Sequence, residues 1–141
     1  MRDKPLFANL DIITTEQFKV GQDWDVPIPG FFIITPIRRL SSVDEFTDEE
    51  AAEFIGLIRN VRKGMRETLK IKEVYLFQNE DAEQGFHLWV FPRHGWMERF
   101  GRKIQSVRLI MDYAKENMQN EDVFKEVKES VKKMKGFMSA L

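Results

Sequence analysis

Both histidines of the chain lie in one short segment, GFHLWVFPRH, at residues 85–94. Side chains alternate between the two faces of a strand, so Gly85, His87 and Trp89 share one face. The opposite face of this predicted strand is apolar and belongs to the core: Phe86, Leu88 and Val90. An imidazole placed like this is either a nucleophile or a satisfied, half-buried histidine of an ordinary strand.

The neighbours of His87 could form a binding surface. A glycine inside a strand, here Gly85, lets a ligand or another backbone approach closely. The flat indole of Trp89 could stack on a base or cover a phosphate site. On these residues alone, a ligand-binding face around one titratable ring and an ordinary strand with a satisfied histidine both stay open.

The sequence lacks the residues that cysteine, zinc or serine catalysis would need. The chain has no cysteine, which excludes disulfides, thiolate metal sites and thiol nucleophiles. Its two histidines make a poor zinc set, and the acidic turn EDAE at 80–83 is more typical of a solvated loop. Glycine-rich phosphate loops and serine nucleophile elbows of the usual patterns are absent from the sequence. We therefore expect no metal and no cofactor.

Length and composition predict one soluble domain over residues 1–141. The 141 residues are 43% apolar and 32% charged, with a net charge of −1. Such a balance gives no basic field, so nucleic acid is not favoured as a partner. The longest apolar run, PIPGFFIITPI, is too short for a bilayer, and the N-terminus MRDKPLFANL lacks a signal-peptide core. A cytoplasmic protein with no membrane contact is expected.

The order of predicted elements indicates an α+β fold. Strands are predicted at 11–14, 17–21, 31–35, 73–79 and 85–91, the last two as an antiparallel hairpin. Thr47 and Glu50 form a capping box that starts an amphipathic helix over about 48–69. A second helix is predicted at 102–118, and a charged third one follows, with Gly136 as its stop.

Three segments together resemble the histidine triad (HIT) family. PIPGFFIITPIRR at 27–39 looks like its "P-G-H, apolar strand, P-K-R-H" segment, and FTDEE at 46–50 matches the usual start of its helix. Pro92-Arg93 after the last strand fixes the register of the family's signature, three histidines at alternate positions. The resemblance implies an antiparallel sheet with a long helix packed on it. It covers about residues 10–94, within a predicted core of about 10–99, and the C-terminal helices at about 102–136 have no clear counterpart.

The resemblance also implies roles for single residues. The three signature positions become Gly85, His87 and Trp89, so only the middle histidine is kept. In the family that histidine is the nucleophile that attacks the α-phosphate of a nucleotide. Asp23 falls where the family places a ribose-binding aspartate. Members of the family commonly form homodimers, so a homodimer is implied here.

Further side chains complete the predicted substrate site, each with an alternative left open. Arg93 and His94 could assist a phosphate, as could Arg38 and Arg39, although any one arginine is as readily a solvated surface residue. Asn79 and Gln84, at the two ends of the hairpin turn, could contact phosphate or ribose. Trp24 could line a base pocket or pack in the core. The candidate substrate-binding residues are thus Asp23, Trp24, Asn79, Gln84, Gly85, Trp89, Arg93 and His94.

Three functions remain open on the sequence. The first is a nucleotide hydrolase or transferase that acts on dinucleoside polyphosphates or nucleotide conjugates through a nucleotidyl-histidine on His87. The second is a nucleotide-binding protein without useful catalysis, since two signature histidines are replaced. The third is a dimeric interaction module.

Overall fold

Five antiparallel strands form one sheet in the order β1-β2-β3-β5-β4, with three helices packed on it. The structure, a computed structural model, describes residues 5–80, 83 and 85–141. The predicted α+β class is confirmed. The strands and helices are β1 Asp11–Thr14, β2 Phe18–Gln22, β3 Phe32–Pro36, α1 Asp48–Thr68, β4 Val74–Phe77, β5 Leu88–Pro92, α2 Ile104–Asn117 and α3 Glu121–Ser139. Among these helices, none is both long and apolar enough to cross a bilayer.

The strand that follows His87 lies inside the sheet. β5 pairs with β3 on one side and with β4 on the other, so the predicted hairpin is confirmed. Its Trp89 stands between Ile33 of β3 and Phe77 of β4 in the register. β3 is buried on both faces, as its continuous apolar sequence predicts. Two rigid neighbours therefore fix the direction of every side chain on β5.

The capping box of α1 is confirmed. The Thr47 hydroxyl accepts the Glu50 backbone N–H at 3.1 Å, and the Glu50 carboxylate accepts the Thr47 N–H at 2.8 Å. Arg38 also donates to Glu50 through two nitrogens, and this hydrogen bonding lowers the pKa of Glu50. The helix then packs on the sheet through Phe54, Leu57, Val61 and Met65. Ile55 lies outside this buried stripe and is 57% exposed.

The two C-terminal helices cover different parts of the fold. α3 packs beside α1, where Gly64 gives room to Met134 and Phe137. α2 joins the apolar cluster on the opposite face of the sheet, through Val107, Ile110 and Ala114. The predicted stop of α3 at Gly136 is wrong. The helix runs one turn further, since this turn buries Met138 against the α1 side of the core.

Phe91 anchors the cluster under α2, and its truncation tests the packing of β5. Its ring is fully buried and meets Phe31 edge-on at a centroid distance of 5.0 Å. We expect Phe91→Ala to lower the free energy of unfolding by about 3–5 kcal/mol, measured by urea denaturation. Leu76→Ala on neighbouring β4 is the control, because Leu76 is 48% exposed. Equal losses in the two variants would contradict this packing.

Candidate functional site

His87 lies one residue before β5, and its protonation pattern follows from one contact. Its Nδ1 is 3.0 Å from the carbonyl oxygen of Gly85. A carbonyl oxygen can only accept, so Nδ1 of the neutral ring carries the proton. The lone pair is therefore on Nε2, which is the arrangement that a nucleophilic imidazole needs.

Gly85 makes this contact possible through its backbone. Its φ is +85°, a conformation that side-chain-bearing residues rarely adopt. A Cβ at this position would lie 2.9 Å from the carbonyl oxygen of Leu40, which accepts the Phe86 N–H at 2.8 Å. The glycine thus admits another backbone rather than a ligand. β5 begins at Leu88, three residues later than predicted, because the chain turns at Gly85.

Substituting Gly85 is expected to disturb both the fold and His87. Gly85→Ala forces a left-handed conformation and a clash with a backbone atom, for a cost of about 1–3 kcal/mol by urea denaturation. Gly136→Ala is the matched control, since its added methyl meets nothing within 4 Å and a helix favours alanine. A Gly85→Ala variant as stable as Gly136→Ala would contradict the described turn.

Two indoles enclose the His87 ring. Trp89 meets it edge-on, with ring centroids 4.2 Å apart, and Trp24 lies at 6.2 Å. Trp89 also stacks on Phe77 at 5.2 Å. As a result His87 is 4% exposed, and a substrate must reach Nε2 between aromatic walls. The expected role of Trp24 as a pocket wall is compatible with its half-buried position.

Asp23 holds one of these indoles. One carboxylate oxygen accepts the Trp89 indole N–H at 3.3 Å, and the other accepts the backbone N–H groups of Asp25 and Val26 at 3.1 and 2.9 Å. Burial raises the pKa of Asp23, and these donors partly oppose the shift. The carboxylate therefore shapes the turn after β2 and orients Trp89. Its contact with a ribose stays a prediction.

Arg93 and His94 lie at the far end of β5, which corrects the prediction that they assist at His87. Six residues of extended chain separate Arg93 from His87, about 20 Å. Its guanidinium donates to the Gly101 carbonyl at 2.9 Å and to Glu98 at 3.2 Å. His94 Nε2 is 2.6 Å from the Pro29 carbonyl. Both side chains brace the segment after β5.

His94 makes stability depend on pH. Burial lowers its pKa from the ordinary value of 6.5, against smaller opposing effects of the Pro29 carbonyl and Glu126. The unfolded chain then binds this proton more readily, so stability is lost as pH falls below 6.5. We expect wild type to lose up to about 1.4 kcal/mol per pH unit more than His94→Gln, measured by urea denaturation between pH 7 and 5. Identical pH profiles would contradict this assignment.

Two cavities flank the aromatic wall. Trp24 lines one of about 310 Å³ over β1 to β3, together with Lys19 and Thr35. Asn79 lines the other, of about 360 Å³, beside Trp89 and α2. Gln84 lies outside the described residues. Arg39 reaches the loop before β5, since it donates to the Glu83 carbonyl.

Sequence reasoning missed Lys19 and Thr35. They are directly paired across β2 and β3. Extending the β3–β5 register from Ile34 and Leu88 by one residue sets Thr35 opposite His87. Alternation along β2 and β3 puts Lys19 and Thr35 on the same face of the sheet as His87. The local sequence pattern does not predict the strand order that brings these three residues together.

Solved structures share the fold of this chain over most of its length. A zinc-bound histidine triad family protein from Mycobacterium smegmatis matches 94% of this chain and 88% of its own, at 16% identity and a TM-score of 0.63. A histidine triad protein from Bradyrhizobium japonicum matches 89% and 87%, at 16% identity and a TM-score of 0.64. This chain has the histidine triad fold. A HIT-like protein from Bartonella henselae also shares the histidine triad fold, at 12% identity, 90% and 84% coverage, and a TM-score of 0.61.

Sequence comparison adds nothing to this likeness. No family model and no curated protein matches the chain. The histidine triad fold is therefore established by structure, and the chemistry depends on the residues present. The mycobacterial protein is zinc-bound. Within residues 5–80, 83 and 85–141 of this chain, no group of three histidine or carboxylate side chains is close enough to hold a metal ion.

Proposed function

We propose that this protein is a divergent member of the histidine triad family. In this proposal it binds nucleotides or nucleotide conjugates on the His87 face and transfers the nucleotidyl group to His87. One observation carries the proposal: the Nδ1 contact with the Gly85 carbonyl leaves Nε2 as the nitrogen with the lone pair. The histidine triad fold supports it, and the resemblance around Pro92-Arg93 implies that His87 stands where the family has its nucleophile.

The proposed reaction has two displacements. The Nε2 lone pair of His87 attacks the α-phosphorus, and the bond from phosphorus to the leaving oxygen breaks with its electron pair. The ring becomes a cationic nucleotidyl-histidine, whose Nδ1 keeps its proton and donates it in a hydrogen bond to the Gly85 carbonyl. Water then attacks phosphorus, the P–N bond returns its electrons to Nε2, and the water proton leaves to solvent. Nucleoside monophosphate is the product.

Trp89 sets a limit on the leaving group. Its single N–H is already donated to Asp23, and an indole does not deliver a proton. General acid help is typically worth about 10²–10⁴ in rate, and this side chain cannot give it. We therefore infer that the preferred bonds are phosphoanhydrides, where a polyphosphate leaves without protonation, and that phosphoesters react slowly.

The nucleotide has a candidate place over the β1–β3 side of His87. Lys19 contributes a positive charge there and Thr35 a hydroxyl, while Trp24 offers an aromatic wall. Lys19 is 3.6 Å from Asp11, an exposed pair of small energetic worth that a phosphate can compete with. The proposal includes the expected cytoplasmic location. It also includes a homodimer, which light scattering tests through the molar mass in solution.

A second function is favoured by the enclosure of His87. With 4% exposure and indoles on two sides, the ring has little room for an in-line approach. A protein that binds nucleotides without turnover would share the fold and the binding face. Asp23 would then matter for binding, through its hold on Trp89 or through a ribose.

A substrate panel separates the two functions. Nucleoside monophosphate release would be measured from dinucleoside polyphosphates and from nucleotide esters, with calorimetry of nonhydrolysable nucleotides alongside. We expect anhydrides to be cleaved faster than esters, and Asp23→Ala to weaken binding. Binding without any release would favour the non-catalytic protein, and neither binding nor release would contradict both functions.

A further inference from the structure

A cavity between the sheet and α2 is separate from the proposed nucleotide face. Its volume is about 360 Å³, within the range of small-molecule sites. Trp89 and Asn79, two of the candidate substrate-binding residues, line it, whereas His87 is not among its described lining residues. Its lining is Phe77, Gln78, Asn79, Trp89, Ile104, Val107, Arg108 and Met111.

The shape of this cavity suits a flat ring. The stacked pair of Phe77 and Trp89, with planes 24° apart, forms the aromatic side. α2 forms the other side with Ile104, Val107 and Met111, whose spacing puts them on one helical face. Such opposed aromatic and aliphatic surfaces favour a planar apolar group between them. Ile104 stands at the opening, because it is 74% exposed although its side of the helix faces inward.

Among the described lining residues of this cavity, one side chain is charged. Arg108 is exposed, and no acidic side chain in the described part of the chain forms an ion pair with it. The remaining polar lining residues are two neutral amides, Gln78 and Asn79. A forked guanidinium beside an apolar slot is the arrangement that recognises a carboxylate, sulfonate or phosphate on an aromatic body.

We propose that this cavity binds a planar aromatic anion, whose ring lies between the Phe77–Trp89 pair and α2 and whose acidic group pairs with Arg108. The proposal does not rest on nucleotidyl transfer, because no lining residue takes part in that reaction as a reacting group. It gives α2 a role in binding a ligand.

The probe is 1-anilinonaphthalene-8-sulfonate, a fused ring system with one sulfonate, titrated against the full chain by fluorescence. We expect one saturable site per chain. Arg108→Glu removes the cation and adds repulsion, and Ile104→Glu sets an anion at the opening. Each is expected to weaken binding roughly tenfold or more. Leu109→Glu is the matched control, since it makes a similar change at a 57% exposed position of α2 outside the lining.

Two readouts make the outcome decisive. The indole N–H signal of Trp89, assigned with Trp24→Phe and Trp96→Phe, is expected to shift on dye binding in magnetic resonance spectra. Neutral N-phenyl-1-naphthylamine is expected to bind equally well to wild type and Arg108→Glu. Equal weakening by Leu109→Glu, or an unmoved Trp89 signal, would overturn the proposal. A dimer that excludes the dye and dissociates in Arg108→Glu would also overturn it, by assigning the cavity to a second copy.

Discussion

His87→Asn is expected to lower nucleoside monophosphate release at least about 10³-fold, because it removes the nucleophile on which both displacements depend. Asparagine is the informative replacement. Its amide nitrogen falls near the position of Nδ1 and can still donate to the Gly85 carbonyl, so the loop before β5 keeps its contact. An amide has no lone pair suited to attack phosphorus. Binding by calorimetry should stay within a few-fold of wild type.

His94→Gln is the control for loss of an imidazole. It removes the other histidine of the chain, which lies about 20 Å along β5, and keeps a donor for the Pro29 carbonyl. Its turnover is expected to match wild type. Equal rates in His87→Asn and wild type would exclude His87 as the nucleophile, whatever else the site does.

Trp89→His is expected to raise the hydrolysis of nucleotide esters by about 10²-fold or more. It returns a proton donor to the leaving-group side, where such help is worth about 10²–10⁴ in rate. Asp23, which now accepts the indole N–H, would favour the protonated imidazole as a nearby carboxylate. Anhydride substrates should gain much less, since their leaving groups need no proton. Steady-state rates on matched ester and anhydride substrates measure the difference.

Trp89→Phe separates acid catalysis from simple enlargement of the site. It removes the indole N–H and adds no donor, so ester hydrolysis should stay at the wild-type level. If Trp89→Phe accelerates esters as strongly as Trp89→His, the indole limits turnover by blocking access to His87. Absence of any gain in Trp89→His would show that protonation of the leaving group does not limit the reaction.

Local sequence signals predicted the scaffold well, because each depends on neighbours along the chain. Thr47 and Glu50 form the predicted capping box at the start of α1. The alternation around His87 predicted that Val90 lies in the core, where the structure has it. The class of fold follows from these elements and their order. The stop at Gly136 failed since burial of Met138, a tertiary effect, outweighs the low helix propensity of glycine.

Contacts between segments that are distant in the sequence could not be predicted from local sequence signals. Asp23 and Trp89 are 66 residues apart in sequence, and their bond joins the turn after β2 to β5. Arg93 was expected near a phosphate because it follows the strand, but strand length carries it away from His87. Lys19 required the strand order before its face could be recognised. The position of His87 was thus predictable, and its partners required the fold.

The most direct test is a trapped covalent adduct. Wild-type protein would be mixed with an excess of a dinucleoside polyphosphate, quenched in alkali within the first turnovers, and mapped by peptide mass spectrometry. We expect a nucleotidyl group on His87 in wild type and none in His87→Asn. Nucleotide release by wild type with no adduct on His87, or an adduct on another residue, would contradict it.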